Sequence, residues 1–366
     1  MSRFKEQQLW EACASGNLDL VKSLASDPGV NVNWIGPDRG DTPLHHACRF
    51  GHVEVVKVLL KIPNVDVNAG NSGKATPFYI ACQEEHQEVV SLLLADRRIN
   101  VNKPEDDGVA PFFIACEKGH QEVVSLLLAD MRIDVNKPQN EGATPFFIAC
   151  QQGHQEVVSL LLADMRIELN KADNEQCTPL WIVSQNGHLQ VVQLILSSGR
   201  EVDIKTKSIA GNNAWKNKTA AEIGRYQGMR ANPATESDEM YNRKKQNGPL
   251  IASLIASFDL DPVTTRQQLR ELSGVRDFFI SDLFALVIFL CDDLLTAGAE
   301  SSSSSSSPLN NNKPARFFQV AQLLPMELQM ALCNRVFGSC KDIILTKHSE
   351  PAFKNLGKLL ARADTK

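Results

Sequence analysis

Apolar residues in the first two thirds of this chain recur in two alternating registers. Segments reading QEVVSLLLA (87–95, 121–129 and 155–163) space Val and Leu as on a helix with one buried face. Each follows a shorter apolar segment, such as TPFFIACQQ (144–152), and precedes a polar tail such as DMRIDVNKPQNEGA (130–143). Thr is a favourable N-cap and Pro suits the first helical position, so the shorter segment predicts a short helix. Gly-His closes that helix, because Gly tolerates the left-handed conformation at a helix end. The tail predicts turns, with a short extended piece at Ile133-Asp134-Val135-Asn136.

The whole sentence repeats. Thr42-Pro43, Thr76-Pro77, Ala110-Pro111, Thr144-Pro145 and Thr178-Pro179 follow one another at intervals of 34. Gly51-His52, Glu85-His86, Gly119-His120, Gly153-His154 and Gly187-His188 keep the same step. A degenerate unit, LWEACASGNLDLVKSLA (9–25), precedes them and a partial one, KTAAEIGRYQG (218–228), follows. Residues 110–133 and 144–167 are near-copies that differ at three of 24 positions. One helix pair cannot bury its own apolar face, so such units must stack into an array.

The segment TPLHHACRFGHVEVVKVLLKIPNVDVN (42–68) resembles the ankyrin repeat family, with Thr-Pro-Leu-His, Gly-His, Val-Val and Leu-Leu in order. The resemblance implies an all-α solenoid of helix-turn-helix units with β-hairpin-like loops, about seven repeats including degenerate caps, over residues 1–258. The period exceeds the family's usual 33 by one residue. The extra residue falls after the second helix, where ADMRID or KIPNVD replaces Gly-Ala-Asp, so that helix must end with different geometry.

Beyond the array, ESDEMYNRKKQNGPLIASLIASF (236–258) predicts a final capping helix, and Asp261-Pro262 predicts the start of another. Residues 259–366 read as a small helical bundle: an apolar helix at about 277–296, a flexible Ser/Asn-rich loop at about 299–313, then two amphipathic helices.

Composition narrows the function. Apolar residues make up 43% and aromatic residues 6%, enough for a mainly aliphatic core. A formal charge of -5, with bases and acids interspersed, argues against nucleic-acid binding. The longest apolar run, LFALVIFLC (283–291), is far short of the ~20 residues that span a bilayer, so no membrane role is expected. Nine cysteines without an apolar leader point to reduced thiols and a cytoplasmic or nuclear location.

Cys13, Cys48, Cys82, Cys116 and Cys150 fall one per unit in a small-residue slot. They form a line and do not converge as metal ligands would, so they read as packing residues. His52, His86, His120, His154 and His188 are also one per unit; the resemblance gives them a turn-holding bond to backbone. No catalytic order, phosphate loop or metal spacing is evident, so no enzyme activity and no cofactor are expected.

The resemblance places partner binding on a concave surface. On the first helices that surface maps to Arg49, Phe50, Gln83, Glu84, Glu117, Lys118, Gln151, Gln152, Gln185 and Asn186. The loop tips add Asp106, Asp107, Asn140, Glu141, Asn174 and Glu175, with Asp38 and Arg39 on an earlier finger. Two of the three differences between the near-copies, Glu117-Lys118 against Gln151-Gln152, fall on it. The face is polar and slightly acidic, which suits another protein offering a mildly basic segment to a monomer.

The family's His slot reads His45, Tyr79, Phe113, Phe147 and Trp181. Packed helices lie ~8–10 Å apart and rings prefer ~4.5–7 Å between centroids, so this ladder either fills the gaps between units or floors the groove. The leading functional expectation is a protein-interaction scaffold or adaptor. One alternative rests on LLPMELQMALCNRVFG (323–338), whose Leu-Pro-x-Glu-Leu opening (324–328) resembles the start of an F-box. It makes the chain a substrate-recognition subunit of a ubiquitin ligase. The other places an enzyme site in the C-terminal helices.

Overall fold

The computed structural model describes residues 2–37, 39–209, 215–230 and 237–272. The apolar helix, the Ser/Asn-rich loop, the F-box-like opening and the last amphipathic helices expected above lie outside them, as does Asp38. Two compact units divide the chain, Met1–Arg270 and Glu271–Lys366.

In the first unit every described element is a helix, and the first fourteen pair in sequence. α1 (Ser2–Ser15) pairs with α2 (Leu18–Ala25), α3 (Pro43–Arg49) with α4 (Val53–Leu60), and α5 (Pro77–Gln83) with α6 (Gln87–Ala95). α7 (Pro111–Lys118) pairs with α8 (Gln121–Ala129), α9 (Pro145–Gln152) with α10 (Gln155–Ala163), and α11 (Pro179–Asn186) with α12 (Leu189–Ser197). α13 (Ala220–Arg230) pairs with the long α14 (Asp238–Leu260), and α15 (Pro262–Glu271) follows. First helices pack on first helices and second on second, giving a two-layer solenoid.

The local chemistry follows the repeated sentence. Thr76, Thr144 and Thr178 cap their helices by accepting from the backbone N–H three residues on. Gly119, Gly153 and Gly187 take left-handed conformations at the C-caps. Gly119 has a second reason to be glycine: a Cβ there would sit 2.7 Å from the His154 ring of the next unit. The third helix pair breaks the rule with Glu85 at φ 63°, whose carboxylate lies 3.4 Å from His120 Nδ1.

The core runs as a continuous ribbon between the layers. Val89, Val90 and Leu93, with their counterparts Val123, Val124, Leu127 and Val157, Val158, Leu161, are buried. Cys13, Cys48, Cys82, Cys116 and Cys150 are buried with them, and burial pushes their thiols up.

The expected extended piece at 133–136 folds as turns. Asp134 Oδ1 accepts from Asn136 N–H two residues on, and an Asx turn of this kind competes with extended backbone.

The loop that lost its glycine ends its helix through side chains. Asp96, Asp130 and Asp164 close α6, α8 and α10 in extended conformation. Arg98, Arg132 and Arg166 each grip that aspartate through Nε and Nη2. Each also donates from Nη2 to a carbonyl of the preceding unit: Leu60, Leu94 and Leu128, at 2.6–2.7 Å. The thirty-fourth residue thus adds a clip between repeats.

The Gly-His histidines also act between units. His86, His120, His154 and His188 donate from Nε2 to Arg49, Gln83, Glu117 and Gln151 carbonyls, at 2.8–3.1 Å. The turn-holding bond therefore reaches back to the preceding first helix. Burial, then repulsion from Arg243, lowers the His188 pKa to about 4 from the ordinary 6.5. An unfolded chain protonates this His below about 6.5 while the folded chain does not. Stability is therefore present above 6.5 and is lost as pH falls towards 4. His188→Gln keeps a donor for Gln151 and removes the titration. Its unfolding free energy, from denaturant titration, should fall less than wild type between pH 6.5 and 4, by on the order of 2 kcal/mol.

Candidate partner-binding face

The loops joining successive units form a row of fingers. Each finger is pinned to the one before it by a backbone bond: Ser72 N–H to Arg39 O, Asp106 to Gly73, Asn140 to Asp107 and Asn174 to Glu141, at 2.8–3.1 Å. Ile209 N–H to Glu175 O continues the series into a sixth finger, described at 201–209 and 215–218. Asparagines lock the opposite ends. Asn68, Asn102 and Asn136 each donate from Nδ2 to the next unit's Arg98, Arg132 or Arg166 carbonyl. Each also accepts at Oδ1 from the N–H two residues further on.

On this frame the expected face is only partly assembled. Phe50 is 50% exposed, and Glu84, Lys118 and Gln152 are exposed, while Gln83, Glu117 and Gln151 are half-buried. Arg49 is held by the buried Asp41 carboxylate at 2.8 Å and lies 3.7 Å from Glu84. Burial would push Asp41 up, but hydrogen bonds from Asn71 and Arg49 outweigh it and keep the carboxyl below its usual range. Gln185 is 8% exposed and so departs from the expected surface position. Asn186 is half-buried, its amide donating to Gln151 O and its carbonyl receiving Arg243 of α14. The capping helix covers this end of the row.

All six tip residues are exposed. Asp106 is paired with Lys74 at 2.6 Å, and the Asn140 and Asn174 amides donate to Asp106 O and Asn140 O. Asp107, Glu141 and Glu175 occupy one register, 34 residues apart, and are in no ion pair among the described residues. They form an acidic edge along three fingers.

The ladder is mostly packed between repeats. Tyr79, Phe113, Phe147 and Trp181 are 7%, 3%, 3% and 2% exposed, so their surface is spent between repeats. His45 shows what the slot does: its Nδ1 accepts from the Thr42 cap, and Nε2–H donates to Ala75 O, just ahead of the next cap. Trp181 repeats that bond with its indole N–H, which donates to Lys218 O just ahead of Thr219. The intervening aromatics substitute apolar contact for the bond.

Two features of the groove went unread in the sequence. Trp10, Trp34, His46 and Phe50 cluster at its first end, Trp10 lying 4.0 Å from His46 and 6.4 Å from Trp34 by ring centroid. At the other end the sixth finger carries Trp215; the signal was the 41-residue step from Thr178 to Thr219. Among the described residues no cluster of side chains suits a metal ion, and no helix is long and apolar enough to cross a membrane.

Packing residues and groove residues respond differently to truncation. Phe113→Ala and Phe147→Ala should each cost ~3–5 kcal/mol in denaturant unfolding. The six described cysteines, Cys177 included, should resist iodoacetamide in the native state and label fully in urea, as read by peptide mass spectrometry.

A family model described as ankyrin repeats (3 copies) matches residues 9–105, 64–139 and 112–207. Among solved structures, the ankyrin repeat domain of Bcl-3, described as a unique member of the IkappaB protein family, is similar at 21% identity. That alignment covers 65% of this chain and 97% of the other, with a TM-score of 0.52. The human ASB11 ankyrin repeat domain aligns at 26% identity over 64% of this chain and 96% of its own, with a TM-score of 0.48. No curated protein matches the chain.

Proposed function

We propose that this chain, which belongs to the ankyrin-repeat family, is a non-enzymatic adaptor that holds a partner protein along its concave face. Ankyrin repeats are protein-protein interaction modules, and the reading assigns that role to the exposed first-helix residues and the acidic finger edge. The partner it favours presents a mildly basic segment, because Asp107, Glu141 and Glu175 carry unpaired charge along one line. Complementarity of this kind mainly sets association rate and specificity.

The observation that carries the reading is where the near-copies diverge. In the unit at 110–133, Gln121, Glu122, Ser125, Ala129, Met131 and Arg132 are exposed on the second helix and the turn after it. All six are identical in the unit at 144–167. Apart from the cap at Ala110, the only differences are at 117 and 118, on the first helix. Exposure alone does not separate the copied residues from the changed ones; position on the first helix does.

The test is capture of a partner by proximity labelling with the full chain, followed by affinity measurement on the captured protein. Glu84→Ala, Lys118→Ala and Gln152→Ala combined should weaken binding at least tenfold while melting stays within a few degrees. Raising salt should slow association more than it speeds dissociation. Unchanged affinity in the triple variant would exclude the concave face as the interface.

A further inference from the structure

A recess opens at the far end of the row of fingers. A cavity of about 290 Å³ opens where the fourth finger (133–143), the fifth (167–177) and the sixth come together. Glu141, Asp173, Glu175 and Trp215 line it, together with the small part of Phe147 and Trp181 that repeat packing leaves uncovered. This volume is at the low end of small-molecule sites, which run ~300–1,000 Å³, and suits one long side chain better than a whole ligand.

Its chemistry is unbalanced. Asp173 is half-buried and accepts at Oδ1 from the Glu175 and Cys177 N–H groups, at 3.0 and 2.8 Å. Burial, with Glu175 and Glu141 adding, pushes its carboxyl above the usual range in spite of those two bonds. None of the three carboxylates is in an ion pair among the described residues. Three acids line one recess, and no Lys or Arg lines it among the described residues.

Trp215 is there because the sixth finger is seven residues longer than the others, 41 against 34 from cap to cap. The finger is anchored on both sides of the indole. Ser208 Oγ donates to Trp215 O at 2.7 Å, Asn217 N–H to Ser208 O at 2.9 Å, and Ile209 N–H to Glu175 O at 2.8 Å. No cation among the described residues stacks on Trp215. An indole that shares a cavity lining with three carboxylates outside any ion pair among the described residues fits a flat cation that stacks on one side and donates a fork of N–H groups on the other.

We infer that this recess receives an arginine side chain of the partner, its guanidinium between the Trp215 indole and the carboxylates of Glu141, Asp173 and Glu175. The inference rests on the proposed use of the concave face. A lysine would supply the charge without the planar fork.

The test uses the full chain with ¹⁵N-labelled tryptophan, whose four indole N–H signals report separately, Trp215→Phe assigning the one that matters. The probe is acetyl-Gly-Arg-Gly-amide, with lysine and citrulline twins. The arginine peptide should move the Trp215 signal saturably, and each twin should bind at least tenfold more weakly. Glu141→Gln with Glu175→Gln should weaken the arginine peptide tenfold or more, the other three indoles confirming the fold. An unmoved Trp215 signal, or equal binding of the citrulline or lysine peptide, overturns the inference. The reading beneath it fails differently: there the captured partner binds the Glu84, Lys118 and Gln152 triple variant as tightly as wild type, whatever Trp215 does.

Discussion

No unit of this array can satisfy its own polar edges, and that constraint shapes almost everything else. The apolar face of one helix pair is covered by the next, but so are its backbone carbonyls and N–H groups. Leu94 O at the end of α6 is met by Arg132 of the next unit, Gln83 O at the end of α5 by His120, and Gly73 O on a finger by Asp106 N–H. A buried or half-buried carbonyl left without a donor costs ~1–3 kcal/mol, so a change of period in one unit would forfeit several such bonds together. The period of 34 is fixed by this mesh as much as by apolar packing. Stability in such an array is close to a sum of unit and interface contributions.

The thirty-fourth residue shows how a departure from the family pattern is absorbed. A shorter turn with glycine would end the second helix by its own backbone. Here Asp96, Asp130 and Asp164 end it in extended conformation, and each arginine two residues on spans to the preceding unit. These pairs are partly exposed, so the ion pair itself adds little. The bond to a helix-terminal carbonyl matters more, because it satisfies an acceptor that the helix cannot.

Much of this was legible in the residues. Thr-Pro and Gly-His mark helix boundaries through local backbone chemistry, and Asp261-Pro262 likewise announced α15, with Asp261 accepting from Val263 and Thr264. What stayed hidden depends on contact at a distance. The ladder could not be placed from spacing, since Phe147 occupies the same slot whether the next repeat covers it or not. Gln185 is buried at the end of the row, where α11 packs on α13 and α14, elements more than thirty residues downstream. Trp215 was invisible as a groove residue because the sixth finger's extra length gave no hint of where its indole would point. The extended piece at 133–136 failed for a local reason: Asp and Asn side chains bond their own backbone before a strand partner is available.

The division of labour within single residues explains how the array keeps its frame while its face varies. His86, His120, His154 and His188 land on the carbonyls of Arg49, Gln83, Glu117 and Gln151, the very positions whose side chains differ from unit to unit. The finger bonds likewise end on the carbonyls of Gly73, Asp107, Glu141 and Glu175. In both rows the inter-repeat bond ends on a backbone carbonyl, and at Arg49 the side chain adds a pair with Glu84 of the next unit. A substitution there leaves the carbonyl bonds in place, so the surface can change at little cost to folding. The same bonds fix the Cα positions from which Asp107, Glu141 and Glu175 project. Their ordering cost is therefore largely met when the chain folds, and less of it is left to oppose binding.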